Sequence, residues 1–329
     1  MLKILIVGFG SIGDRHLRNI LTKKGIQLIV CSKRNDIHFK NKKIKIVTEL
    51  DDAILEKPDI AFVTNETSYH TETAIKLAKA GIDLFIEKPL SASKVRLVEL
   101  EKIVKKKKII SLVGCDHRFH PCLKKIKEIL KNERLGRVLC VQVESGSLLS
   151  DWHPYEDYRK GYAAKEELGG GITTTMTHEL DFLRWFFGDI KEIFSLNKKI
   201  SDLEISADDI STMTMIFEKN IIGELHLDYF ARPQFKSCKI KGSKGTIYWN
   251  SDLNEVKIYL NNKNKWKTIF RAKNFKRNDM FLDELNYFLK SVKLRKKTFN
   301  DISEGMKTLK VILSSKKSSS NKKMLKIKY

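Results

Sequence analysis

Several groups of residues in this chain have types and spacings that could do chemistry. Gly8, Gly10 and Gly13 fall in GFGSIG, directly after the apolar run LKILIV. Lys88 stands in Glu87-Lys88-Pro89, after the apolar run LFI. Thr174, His178, Asp181 and Trp185 recur at helical spacing in the mostly apolar LGGGITTTMTHELDFLRWFFG. Just upstream, Trp152, His153, Tyr155, Tyr158, Arg159 and Tyr162 crowd one stretch. Glycines so spaced let backbone approach a pyrophosphate. A lysine can hold a developing oxyanion, and a histidine can move a proton near neutral pH. Aromatic faces stack on CH surfaces, and an arginine pairs with carboxylate or phosphate.

These residues need elements to position them. Leu2–Val7 reads as a strand buried on both faces, Ser11–Lys23 as a helix ending near Gly25, and Ile26–Cys31 as a second strand. The strand-turn-helix-strand context turns a weak glycine motif into a dinucleotide site. Gly8 permits the turn, Gly10 the approach of the pyrophosphate, and Gly13 the packing of helix on strand. Phosphates then meet the helix start at Ser11, Ile12 and Gly13, with Arg15 and His16 close by. The second strand ends in Ser32, Lys33 and Arg34, where an acidic residue would bind the ribose hydroxyls. A hydroxyl and two cations suit a 2′-phosphate, which favours NADP(H) over NAD(H). Strand and helix signals keep alternating through Asp59–Val63, the loop TNETSYH, Thr71–Lys79 and Asp83–Ile86. This predicts an α/β, doubly wound parallel sheet, with Gly8, Ser32, Thr64, Asn65 and Lys88 along the rim at the strands' carboxyl ends.

The pattern changes after residue 121, so a second domain is expected over 122–329, following a first over 1–121. Cys122–Lys131 reads as a helix. Strand signals follow at Val138–Glu144, Glu192–Leu196, Thr212–Phe217, Ile222–Asp228, Phe235–Lys241, Gly245–Trp249 and Val256–Leu260. The expectation is an α+β domain with a large, mainly antiparallel sheet. Phe281–Val292 and Ile302–Ser315 read as late helices, and LKIKY as a strand at the end. In the glycine-rich helix, Ile172, Met176, Leu180, Leu183 and Phe187 fall within roughly an 80° arc, the core stripe. Thr174, His178, Asp181 and Trp185 lie opposite and read as a pocket wall, with the glycines giving close backbone approach to that pocket.

Composition excludes some classes. The chain has 329 residues, enough for a sizeable core. No apolar run reaches the length of a membrane helix, and the N-terminal run reads as a strand and not as a signal peptide. A cytoplasmic location is expected. The net charge of +23 is spread along the chain with no nucleic-acid motif, so no nucleic-acid or membrane partner is expected. Five cysteines without a CxxC pair argue against a disulfide framework, and His117 with His120 lacks a third ligand in sequence, so no metal is expected.

The strand-GFGSIG-helix, TNETSYH, EKP, VGCDHRFHP, GGG…HELDFLRWFFG, LDYFARP and NDMFLDELNYFL segments, in this order, resemble the glucose-fructose oxidoreductase/inositol dehydrogenase (Gfo/Idh/MocA) family. The resemblance implies a Rossmann domain and a second domain whose open sheet is used in a homodimer or homotetramer. It places Lys88 beside the nicotinamide and the reacting hydroxyl, with Glu87, His70 and Arg118 also on the cofactor side. It makes His178 the acid/base that takes the hydroxyl proton. Many members carry an aspartate where this chain has Thr174; Asp181, at i+3, is an available carboxylate that could reach back toward His178, the alternative being a structural N–H or arginine partner for it. DWHPYEDYR before the glycines resembles a subgroup tied to surface-polysaccharide sugars. That implies a sugar or nucleotide-sugar substrate touched by Trp152, Tyr158, Arg159, Thr174 and His178. The implied activity is NAD(P)-dependent hydride transfer at a hydroxyl or keto carbon. A redox-neutral epimerase or glycosidase with a tightly held cofactor, or a non-catalytic NADP(H) sensor, are the alternatives.

Overall fold

The structure is a computed structural model and describes residues 1–34, 44–154 and 156–329. Tyr155 therefore lies outside the described residues. The chain divides into two compact units, one of residues 1–115 and 278–309, the other of residues 116–277 and 310–329. The division expected at residue 121 thus differs in detail, because a late helix returns to the first unit.

The first unit contains β1 (Leu2–Val7), α1 (Ser11–Leu21), β2 (Ile26–Cys31), β3 (Ile44–Val47), α2 (Leu50–Leu55), β4 (Ile60–Val63), α3 (His70–Lys79), β5 (Asp83–Glu87), α4 (Leu97–Lys106) and β6 (Ser111–Gly114). The strand order is β3-β2-β1-β4-β5-β6, all parallel. Continuous apolar runs such as LKILIV and IAFV suit strands covered on both faces. Ile4, Ile6, Leu28, Ile60, Phe62 and Phe85 are buried in its core. Leu285 and Phe288, on the helix that follows the second unit's sheet in sequence, are buried in the same core. Burying large apolar side chains contributes about 1.5–3 kcal/mol each, which is why that helix belongs to this unit.

The second unit contains α5 (Pro121–Lys131), β7 (Val138–Gly146), α6 (Ile172–Thr175), α7 (Thr177–Phe187), β8 (Ile190–Lys198), β9 (Ile210–Phe217), β10 (Ile222–Asp228), β11 (Phe235–Gly242), β12 (Gly245–Asn250), β13 (Glu255–Leu260) and β14 (Trp266–Arg271). The chain ends with α8 (Arg277–Lys293), α9 (Ile302–Asn321) and β15 (Leu325–Lys326). The second sheet runs β14-β13-β12-β11-β7-β10-β9-β8-β15. Its pairs are antiparallel except β7 with β10. Alternate residues divide its faces. Val141, Val143, Leu225, Cys238, Ile240 and Ile247 enter the core with Ile126, Leu180 and Leu183. Gln142, Glu144, Thr212, Glu224, His226 and Lys239 line the other face. β14 was not foreseen, since WKTIFR is mostly exposed and buries little.

The polar-striped helix is broken. α6 and α7 meet at Met176, whose φ of −90° and ψ of 48° are not helical. The core stripe is as expected, with Ile172, Met176, Leu180, Leu183 and Phe187 all buried. The glycines have a different cause from the one expected. A Cβ at Gly170 would stand 2.2 Å from the Tyr162 carbonyl, and one at Gly171 would stand 2.1 Å from Asp208 Oδ1. Asp208 also accepts from Thr173 Oγ1 at 2.5 Å. The glycines admit the chain's own backbone and Asp208, not a ligand.

α5 begins at Pro121, and His120 caps it, its Nδ1 accepting from the Cys122 N–H at 3.2 Å. The ring packs edge-on to Phe275 and Trp249. Burial, aided by His117, pushes the His120 pKa down from 6.5 to about 3. The fold therefore holds the neutral ring. The stability this contributes is complete above the unfolded value and is lost as pH falls through 6.5 toward 3. In melts between pH 7 and 4, His120→Asn keeps a capping side chain and should show a shallower fall of Tm with acidification than the unsubstituted protein.

Candidate active site

The glycine turn is built by close approach. Gly8 has φ +89°, and a Cβ there would lie 2.5 Å from the Asn65 backbone. Thr64 Oγ1 donates to the carbonyls of Val7 at 3.0 Å and Gly8 at 2.7 Å, pinning the turn. A Cβ at Gly13 would meet Gly8 O at 2.4 Å, so helix α1 sits directly on the turn. Above Gly10 nothing lies within 4 Å. Gly10 is also the N-cap of α1 and provides no side-chain acceptor, so the first-turn N–H groups are not capped by it. Open space at the second glycine and uncapped N–H groups fit a dinucleotide pyrophosphate. Beyond β2, Ser32 Oγ accepts from the Arg34 N–H at 3.2 Å, and Arg34 Nη1 donates to Phe9 O at 3.2 Å. The Arg34 guanidinium is thus placed against the glycine loop, with Lys33 exposed beside it. Arg15 lies over the Phe281 ring at 4.8 Å.

Lys88 follows β5 and is half-buried. Its N–H donates to Glu87 Oε2 at 3.1 Å, while Glu87 Oε1 holds His16 Nε2 at 2.7 Å. His16 is enclosed by Phe62, Phe85 and Phe281 and so faces protein, not phosphate. His70 spans two rim loops, its Nδ1 2.9 Å from Pro89 O and its Nε2 2.9 Å from Asn65 O. Burial lowers its pKa, against the pull of those two carbonyls. Glu87 and His70, expected among the cofactor contacts, instead fix the backbone on which Lys88 is mounted. Asn65 Nδ2 donates to Thr73 Oγ1 at 3.0 Å, so its amide also serves the loop.

In the second unit the polar stripe meets protein. Thr174 Oγ1 donates to Gly170 O at 2.6 Å and Gly171 O at 3.0 Å, bonding back along its own turn. Asp181 gives both oxygens to Arg118, at 2.6 and 2.8 Å, in a buried bidentate pair. Lys127 Nζ lies over Trp185 at 5.6 Å. Three expectations are corrected here. Thr174 and Asp181 do not orient His178, and the Arg118 guanidinium is taken up by Asp181.

His178 is held by groups that sequence reasoning left out. Its Nδ1 lies 3.2 Å from Asp116 Oδ1, and its ring stacks on His117 with centroids 4.4 Å apart. The approach to Asp116 is off the line of a straight hydrogen bond and is chiefly electrostatic. Asp116 Oδ1 also accepts from His117 Nδ1 at 2.9 Å. Burial raises the Asp116 pKa, but His178 and His117 outweigh it and hold the carboxyl well below its usual range. Asp116, His117 and His178 offer ligand-type atoms within 4.8 Å of one another, but one imidazole hydrogen-bonded to a carboxylate and a second held close to it by charge also describe an acid/base cluster. The available signal was position, since DHRF follows β6 at the carboxyl end of the first sheet.

The upstream aromatic stretch folds into successive 3-10 turns. Trp152 Nε1 donates to Ser147 Oγ at 2.5 Å, and the Tyr158 hydroxyl accepts from the Glu204 N–H at 3.3 Å. Arg159 pairs with Asp157 at 2.8 Å and Glu204 at 3.4 Å. The polar groups read as substrate contacts thus serve this segment's own structure.

Two sequence models match the chain. One, described as an oxidoreductase family with an NAD-binding Rossmann fold, matches residues 2–115. The other, a GFO/IDH/MocA C-terminal domain, matches residues 123–248. The chain belongs to the Gfo/Idh/MocA oxidoreductase family.

Gfo/Idh/MocA relatives include the myo-inositol 2-dehydrogenase of Thermotoga maritima, 26% identical over 344 aligned positions, 99% of this chain and 98% of that protein. The D-xylose dehydrogenase of Paenarthrobacter nicotinovorans is 28% identical over 51% of this chain and 43% of its own. A levoglucosan dehydrogenase in complex with NADH and levoglucosan superposes with a TM-score of 0.87 at 15% identity, covering 100% of both chains. A putative NADPH-dependent oxidoreductase from Desulfitobacterium hafniense gives 0.85 at 15% identity, over 99% of this chain and 97% of that one. The doubly wound sheet and the large, mainly antiparallel sheet are thus the family's fold.

The glycine geometry separates two roles. Gly13→Ala should lower stability, because its Cβ meets the Gly8 carbonyl. Gly10→Ala should keep the Tm within about 2 °C yet weaken NAD(P)H binding about tenfold or more, read by nicotinamide fluorescence. Thr174→Val should cost about 1 kcal/mol in denaturant unfolding, from its buried hydrogen bonds, and leave the histidine environment unchanged by NMR.

Proposed function

We propose that this protein is an NAD(P)-dependent dehydrogenase or reductase acting at a secondary hydroxyl or keto carbon of a sugar or cyclic polyol. The observation that carries this is His178, partly exposed on a helix and backed by a buried carboxylate, in a chain whose other unit has the glycine cradle. The nicotinamide, when bound, accepts or supplies the hydride. In the oxidative direction the carbinol C–H and O–H bonds break and a C=O bond forms. Lys88 donates a hydrogen bond to the oxygen as charge develops, and His178 takes the proton. Relatives named for inositol, xylose and levoglucosan support a cyclic polyhydroxy substrate.

The finer reading is a nucleotide sugar of surface-polysaccharide biosynthesis, supported by the DWHPYEDYR segment and by the +23 charge, which attracts anionic substrates. NADP(H) is preferred over NAD(H), supported by Ser32, Lys33 and Arg34 where a ribose-binding acid would stand. The exposed face of the second sheet, with Phe194, Phe235 and Tyr248 among polar residues, supports a homodimer or homotetramer.

In steady-state assays with myo-inositol, D-xylose and levoglucosan followed at 340 nm, Lys88→Met and His178→Ala should each lower kcat by about 10²-fold or more. Both should bind NADPH as the unsubstituted protein does. Full turnover in both variants would contradict the assignment. Product formation with no net absorbance change would replace it with a redox-neutral cycle.

A further inference from the structure

The ionisable groups around His178 form one line of contacts, His178, Asp116, His117, Lys236 and Glu179, of which Asp116, His117 and Glu179 are buried. Lys236 Nζ lies 3.2 Å from His117 Nε2 and 2.8 Å from Glu179 Oε1. An ammonium group can only donate, so His117 Nε2 must accept. The proton of the neutral His117 ring is then on Nδ1, where it is donated to Asp116 Oδ1 at 2.9 Å. Each contact dictates the next. Glu179 holds Lys236, Lys236 sets the His117 tautomer, and His117 hydrogen-bonds Asp116 without neutralising it. Glu179 is buried, and although burial raises its pKa, Lys236 brings it below its usual range. The charge on Asp116 stands 3.2 Å from the imidazole of His178. The helix position one turn back carries Thr174, which is bonded to Gly170 and Gly171 on its own side of the break at Met176.

We propose that Asp116 is the positioning carboxylate of His178, supplied from the turn after β6 and not from the helix itself, and that Lys236, held by Glu179, fixes His117 as a neutral spacer that keeps this carboxylate for His178. The inference rests on the reading of His178 as the proton carrier. It gives that residue what a threonine cannot, a negative charge against which an imidazolium forms. It also sets Nδ1 toward the buried carboxylate.

The charged and titratable groups around this site are Asp116 and His117 on the turn, His120 at the start of α5, Glu179 on α7, Lys236 on β11 and Arg277 at the start of α8, whose charge acts on Asp116. Asp116 and Lys236 are the surrounding groups changed in the test. The protein is labelled with ¹³C,¹⁵N-histidine and titrated by NMR. The His178 signal is assigned by its loss in His178→Asn, among eight histidines. Asp116→Asn preserves shape and should lower the His178 midpoint by about one to three pH units relative to the unsubstituted protein. Lys236→Met frees His117 Nε2 to take a proton and compete for the carboxylate, so it should lower the same midpoint. It carries the test if Asp116→Asn does not fold. With the three probe substrates above, Asp116→Asn should reduce kcat about tenfold or more, shift the acid limb of the kcat profile to lower pH and leave KM within about twofold. An unmoved His178 midpoint in the folded variants, with His178→Asn inactive, overturns this proposal alone. Full turnover by His178→Asn removes the functional reading beneath it.

Discussion

The carboxylate of Asp116 is inside the second unit, and much of the surrounding chemistry follows from the cost of burying that charge. A buried carboxylate must be protonated, paired or hydrogen-bonded. Asp116 is paired, with an imidazole at 2.9 Å and another at 3.2 Å. The same constraint recurs along α7, where Asp181 is paired with Arg118 and Glu179, through Oε1, with Lys236 of β11. Each pair ties α7 to a neighbouring element. His178 is therefore mounted on a helix whose rotation is fixed at several points by charge as well as by the apolar stripe beneath it.

The first unit solves a different problem, approach without collision. Gly8 and Gly13 admit backbone to within distances no side chain could share, and the turn that results leaves Gly10 open. Thr64 locks the turn from the neighbouring strand. Glu87 and His70 then fix the chain around Lys88 by bonding His16, Asn65 and Pro89. These residues look like binding groups in sequence because they sit at the rim. Their structural role is to make that rim rigid, which is what preorganised catalysis requires of the elements behind a reacting group.

Much of this was legible from residue order. Apolar runs, glycine spacing and strand-helix alternation gave the parallel sheet, and period-two alternation gave most of the second sheet. The limits were equally physical. WKTIFR buries too little to announce a strand, and α8 carries no mark saying which core it joins. Helical periodicity ran through Met176 because an ideal helix was assumed, so Thr174 was placed behind His178 when the break separates them. The partner of His178 was missed because it is 62 residues earlier in the chain, and side-chain pairing across elements has no local signature. Asp181 was the carboxylate expected beside His178, but a bidentate arginine had already claimed it.

The central claim is that a carbon-bound hydrogen of a polyhydroxy ring is exchanged with the nicotinamide. It is tested most directly by incubating the protein with NADP⁺ or NAD⁺ and myo-inositol deuterated at the ring carbons, in ordinary water, with deuterated D-xylose and levoglucosan in parallel. The expected result is one deuterium on C4 of the recovered reduced cofactor and a matching ketone. Ketone formed with the deuterium released to solvent, or no labelled cofactor from any of these substrates or from a deuterated nucleotide sugar, would contradict it.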